Sequence, residues 1–193
     1  IRDSLSPLHA GLIISAMALS AIPTSILGGA TLHRLGFLPL ISGGFLLMAT
    51  GMILLLATRG EALALLVVAL VLTGLGAGLA MSVSSTAIIN AAPLHRTGMA
   101  AGVEAVSYEF GTLISIALTG TLVPLLMARE LPPHLAELGT DALHHPASHA
   151  TAASAYNAGY LSTIGGLACF ALLLAAITAW CLSLIHISEP TRR

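Results

Sequence analysis

Long runs of apolar residues, separated by short polar or helix-breaking stretches, are the dominant pattern of this chain. A helix needs about 20 apolar residues to cross the hydrocarbon core of a membrane. A strand of a membrane barrel would alternate polar and apolar positions, and these runs do not alternate. The pattern therefore predicts an all-α integral membrane protein with five transmembrane helices, over about Leu8–Gly29, Phe37–Thr58, Ala62–Ile89, Met99–Met127 and Gly159–Cys181.

The composition agrees with this prediction and excludes several classes of soluble protein. Only 8% of the 193 residues are charged, whereas a soluble domain carries about 25% charged residues to cover its surface. A net charge of −1 provides no basic surface for nucleic acid. The two cysteines, Cys169 and Cys181, lie in one apolar run, which favours neither a disulfide framework nor a metal site. The sequence indicates no cofactor.

The placement of arginine predicts the orientation of the spans. Arg34 and Arg96 lie in short loops without an acidic residue, and two spans separate these loops, so both face the same side. We place that side in the cytoplasm, because cytoplasmic loops carry an excess of Lys and Arg. The longest loop, about residues 128–157, is then extracytoplasmic.

Two acidic residues, Glu104 and Glu109, are the only ones inside a predicted span. A charge at the bilayer centre costs about 2.5–3.5 kcal/mol on insertion scales, so such residues are functional candidates. At about 100° per residue, Glu104 shares an arc of about 80° with Tyr108, and Glu109 lies about 60° beyond its edge. We expect this polar stripe to face a cavity or another helix rather than lipid; its other members are Thr112, Ser115 and Thr119.

The chemistry expected of these carboxylates is competition between a proton and a cation. A carboxylate that is removed from water binds a proton more readily, whereas a nearby cation favours its charged form. Tyr108 could contact a cation through its ring or could simply pack against a neighbour. The alternative explanations are that Glu104 reaches the water interface and that Glu109 makes a structural polar contact.

Two further signals have structural explanations. Gly74, Gly76 and Gly78 lie within an apolar span with no preceding strand, which favours close helix packing over a dinucleotide-binding loop. His145 and His149 have a spacing that can bind zinc on a helix. They lie in the proline-containing long loop, for which a mobile outer loop or short hairpin is the favoured interpretation, so no metal site is predicted.

The stretch from Ala91 to Gly111 resembles the region between spans twelve and thirteen of fourteen-span drug:proton antiporters of the major facilitator superfamily. The similarity is greatest to methyl-viologen and quaternary-ammonium efflux pumps. The residues that carry it are Gly102, Glu104, Tyr108, Glu109 and Gly111. Related pumps often have a second acid beside the first, where this sequence has Ala105.

A second match resembles the cytoplasmic loop signature of the superfamily, Gly-x-x-x-Asp-Arg-x-Gly. The matching residues are Gly29, His33, Arg34 and Gly36. His33 stands where the signature has its acid, which weakens a gate that depends on that charge. The resemblance covers about residues 5–181, as spans ten to fourteen.

The resemblance implies a partial C-terminal bundle of a major facilitator fold, multi-pass in a bacterial inner membrane. It implies that Glu109 and Glu104 take part in proton coupling and cation binding, assisted by Tyr108. The implied partners are the lipid bilayer, protons, small lipophilic cations and the N-terminal half of the transporter, but no nucleic acid. The alternatives are transport of a metabolite or siderophore, or a non-transport membrane module. The predicted spans lack a catalytic constellation, which argues against an enzyme.

Both ends of the sequence are unusual. It begins at Ile1, and the resemblance starts at span ten, so we expect a fragment of a longer chain that is inactive alone. Residues 182–193 resemble the conceptual translation of a transposase-type sequencing adapter, the alternative being a short cytoplasmic tail. We therefore expect residues 1–181 to be a transmembrane bundle and residues 182–193 to be a non-native tail.

Overall fold

The computed structural model describes residues 6–58, 62–145 and 147–188, with side chains described as far as residue 181. Over these ranges the secondary structure is helical, which confirms the predicted all-α class. Five of the helices are long and apolar enough to cross a membrane. The side chains of the predicted tail, residues 182–193, lie outside the described ones. The helices are α1 (Pro7–Leu35), α2 (Phe37–Thr58), α3 (Leu63–Ala91), α4 (Thr97–Glu130), the short α5 (Pro133–Ala136) and α6 (His149–Ser188).

Both ends of α1 are set by local chemistry. The Ser6 hydroxyl caps the first turn by accepting a hydrogen bond from the backbone N–H of His9. Gly36 ends the helix with a φ of 82°, and its N–H donates to the Leu32 carbonyl at 2.8 Å. Nothing before Gly36 breaks the helix, so α1 continues through the predicted loop and one residue separates it from α2.

The chain divides into two compact units, residues 1–101 with 167–193 and residues 102–166. In the first unit, α3 packs against both α1 and α2. A Cβ added to Gly74 would collide with the Met17 carbonyl of α1, and one added to Gly76 with the Gly44 carbonyl of α2. These contacts confirm that the glycines of α3 allow close helix packing.

Hydroxyl groups join α1 and α3 in addition to these close contacts. The Ser20 hydroxyl donates to the Val71 carbonyl at 3.1 Å. The Ser82 hydroxyl donates to the Ser25 carbonyl at 2.8 Å. Because later residues of α1 meet later residues of α3, the two helices run parallel and end on the same side of the unit.

In the second unit, the last part of α4 packs against the first part of α6. A Cβ on Gly159 would lie 2.9 Å from the backbone of both Val123 and Met127, so no side chain fits there. Beyond this contact the connection between the helices folds into a small apolar cluster, in which the Ser148 hydroxyl donates to the Ala142 carbonyl at 2.8 Å. The buried members of the cluster are Met127, Leu131, Ala142, Ala152 and Ala155.

The start of α6 differs from the predicted span. The helix begins at His149, whereas the apolar run begins near Gly159. The intervening residues are rich in alanine, which favours helix without adding much hydrophobicity. Ala152 and Ala155 are buried in the cluster, so packing extends the helix beyond the apolar run.

Candidate functional site

The three predicted coupling residues lie on α4, within the second unit. Tyr108 follows Glu104 by about one helical turn, so the two side chains lie on the same face. Glu109 lies five residues after Glu104, which corresponds to a rise of about 7.5 Å along the helix axis. One helix therefore carries both carboxylates and an aromatic ring.

This part of α4 is open to its surroundings. Every residue from 105 to 118 is exposed, and Glu104 is half-buried. Phe110 is 62% exposed and Tyr108 is 38% exposed, so both the apolar face and the polar face are uncovered. In the part of the chain that the structure describes, the stripe lines only an open depression of about 440 Å³ beside Ser115 and Thr119, because the packing of α4 begins near Val123.

Several hydroxyl groups of α4 form hydrogen bonds within their own helix. The Thr112 hydroxyl donates to the Tyr108 carbonyl at 2.9 Å, and the Ser107 hydroxyl donates to the Val103 carbonyl at 2.8 Å. A carboxylate has no proton to donate when it is ionised, so it cannot use these carbonyls. In the described chain, neither glutamate forms a hydrogen bond or an ion pair with another residue. Both of these carboxylates thus remain available to a ligand.

The residues of the predicted cytoplasmic signature lie at the end of α1, in the first unit. His33 and Arg34 occupy the last turn and are exposed. Gly36 has the positive φ that side-chain-bearing residues rarely adopt, which explains the glycine at this position. Gly29 lies nearly two turns before the end of the helix, with open space around it. The signature residues and the α4 residues belong to different units.

The histidines of the long connection do not form a metal site among the residues that the structure describes, where no group of three or more potential ligands is brought together. The connection instead forms a cleft of about 610 Å³ that the sequence did not predict. Packing of the connection creates this cleft, so no local sequence signal could have revealed it. Its lining includes His134, Leu135, Leu138, His145 and Thr151.

Comparisons with known proteins add to this description. A family model described as "Major Facilitator Superfamily" matches residues 1–130, a range that includes α1 to α4. The chain is also 28% identical over 130 residues to "Multidrug resistance protein Stp" of Mycobacterium tuberculosis, in strains CDC 1551 / Oshkosh and ATCC 25618 / H37Rv. That match covers 67% of this chain but only 24% of each relative. No solved structure matches the chain.

Proposed function

This chain belongs to the Major Facilitator Superfamily, and from that premise we propose that it forms part of a proton-coupled efflux transporter for small lipophilic cations, such as quaternary ammonium compounds. It is a multi-pass membrane protein, and the transporters of this superfamily are generally not enzymes. We place it in a bacterial inner membrane. The name of the mycobacterial relatives, which refers to multidrug resistance, supports efflux.

The observation that carries this proposal is the position of Glu109. It is exposed on an apolar helix of 34 residues, about 18 Å from the helix start. Intramembrane carboxylates are costly and typically mark ion pathways or proton relays. The range matched by the family model includes this residue.

The proposed mechanism is competition for the carboxylates of α4. Each mycobacterial relative is about four times as long as the matched stretch, and we propose that a corresponding N-terminal half encloses the polar stripe of α4. Once water is excluded, a carboxylate either holds a proton or faces a cation, and the two states alternate as the halves rock about a midplane site. The Tyr108 ring offers a lipophilic cation a π face one turn from Glu104.

The full-length transporter, reconstituted into proteoliposomes, provides the test. With an imposed pH gradient, E109Q should reduce proton-driven export of the cationic dye ethidium at least tenfold, because an amide cannot bind and release a proton. E137Q makes the same chemical change in the connection between α4 and α6 and should leave export intact. Full coupling in E109Q would contradict the assignment.

The same assay separates the alternatives. The 193-residue chain alone should show no proton-coupled efflux, because alternating access needs the other half; efflux from such vesicles would contradict this. Proton-coupled movement of a neutral or anionic metabolite, without movement of cations, would favour the alternative of a different transported solute.

A further inference from the structure

Exposed basic side chains occur at one end of the first unit. His33 and Arg34 lie in the last turn of α1. His95 and Arg96 belong to the short 3-10 helix Leu94–Arg96, which connects α3 to α4. All four side chains are exposed to the surroundings. Their charge is therefore available to a partner outside the bundle.

The packing of α1 against α3 brings these residues to the same end. Gly28 of α1 lies against Leu79 and Val83 of α3, in the register set by the serine hydrogen bonds described above. Continuing that register along α1 puts Arg34 beside the last turns of α3. The connection that carries Arg96 follows directly and is held by the Arg96 N–H, which donates to the Pro93 carbonyl at 2.8 Å.

The local charge at this end is positive. The sequence has no Asp or Glu between Asp3 and Glu61, or between Glu61 and Glu104. Two helices end here and two begin here, so the opposite partial charges of their termini largely offset each other. The arginine side chains therefore set the sign of the potential.

Large apolar side chains are exposed beside each arginine. Leu94 is 94% exposed next to His95 and Arg96, and Leu35 is 57% exposed next to Arg34. A soluble anion would gain nothing from these leucines, whereas a lipid offers both an anionic headgroup and acyl chains. The arginines and leucines lie at the ends of helices that are long enough to span a membrane. This position places them at the level of the lipid headgroups.

We propose that Arg34 and Arg96, with His33 and His95, form a binding surface for the phosphate headgroup of anionic membrane lipids such as phosphatidylglycerol. The guanidinium groups bind the phosphate oxygens, for which their fork of N–H donors is well suited. Leu35 and Leu94 contact the acyl chains of the same lipids. This interaction is independent of the solute that the transporter carries.

The test uses the full chain in phosphatidylcholine nanodiscs that contain a few per cent of a dansyl lipid. Trp180 is the only tryptophan, so energy transfer to dansyl reports lipid near this chain. Transfer to dansyl-phosphatidylglycerol should exceed transfer to dansyl-phosphatidylcholine. Each arginine should contribute about a fivefold preference, so the double variant R34Q/R96Q should lose preference on the order of 25-fold. High salt should weaken the preference in the wild type.

Matched variants keep the result interpretable. R129Q removes the same charge at the other end of α4 and should leave the preference unchanged, and R34K/R96K should retain most of it. An unchanged helical circular dichroism signal identifies variants that remain folded. The proposal is overturned if R34Q/R96Q keeps the lipid preference or if R129Q loses it equally. Displacement of dansyl-phosphatidylglycerol by millimolar inorganic phosphate would indicate a soluble-anion site and would also overturn it.

Discussion

The packed helices α1 to α3 and the open stretch of α4 use polar residues in opposite ways. In the first unit, serine hydroxyls cross from one helix to another, as from Ser82 to the Ser25 carbonyl. Glycines there let the backbones approach each other closely. Along residues 105–118 of α4 every residue is exposed, and Glu109 has no partner in the described chain.

The difference separates residues that hold the fold from residues that are available for function. In a membrane, helices gain little from hydrophobic burial against one another, so close backbone contact and interhelical hydrogen bonds hold them together. The first unit has both kinds of interaction. The carboxylates of α4 contribute to neither, which leaves a ligand, a proton or a further helix as their partner.

The largest effect on stability should come from filling a close contact between α2 and α3. A Cβ at Gly76 would collide with the Gly44 carbonyl and approach the Met48 nitrogen to 2.6 Å. G76A should therefore destabilise the fold by about 1–3 kcal/mol, the usual cost of overpacking. Thermal unfolding in detergent, followed by circular dichroism, measures this loss.

The matched control for this substitution is G111A. Nothing lies within 4 Å of the added methyl group at Gly111. Alanine also favours helix over glycine by about 1 kcal/mol, so this variant should be unchanged or more stable. Equal melting temperatures for the two variants would contradict the distinction between the packed and open regions.

A smaller effect is expected from removing one interhelical hydrogen bond. S82A deletes the donor to the Ser25 carbonyl and should cost about 0.6 kcal/mol, a typical value for such bonds in membranes. S107A removes a hydroxyl that bonds only within its own helix, and it should change stability less. A larger loss in S107A would show that α4 depends on that hydroxyl for packing. The same detergent melts report both values.

The smallest effect on stability should come from E109Q. The side chain is exposed and has no partner in the described chain. The free energy of unfolding should therefore change by less than about 0.5 kcal/mol. A loss comparable to that of G76A would support the alternative that Glu109 makes a structural contact. Stability and transport together therefore distinguish a structural carboxylate from a functional one.

The sequence was sufficient to predict the helical class and the five spans, because a membrane helix satisfies its own backbone and must be apolar over its length. The role of Gly74, Gly76 and Gly78 was also predictable, since small residues in an apolar span typically mark close contacts. The exact ends of the helices were less predictable from the sequence. α1 reaches Leu35 because its breaker, Gly36, comes late, and α6 starts at His149 because the apolar cluster extends it.

The candidate site was predictable only in part, for a physical reason. Glu104 and Glu109 are conspicuous because acids are rare in apolar helices, and that rarity can be read from the sequence. Whether a stripe is enclosed depends on its neighbours, which no residue of α4 encodes. The partner carbonyl of Ser82 and the cleft beside His134 likewise depend on tertiary packing.

The central place of α3 has a consequence for how this protein is made. α1 and α2 are joined by a single residue, yet each packs chiefly against α3, which is synthesised after both. The hairpin of α1 and α2 is therefore inserted into the bilayer before α3 is present. Until then, Gly44 and the hydroxyl of Ser20 lack their interhelical partners. Assembly of the three-helix core becomes possible only when the ribosome has delivered the residues up to about Ala91.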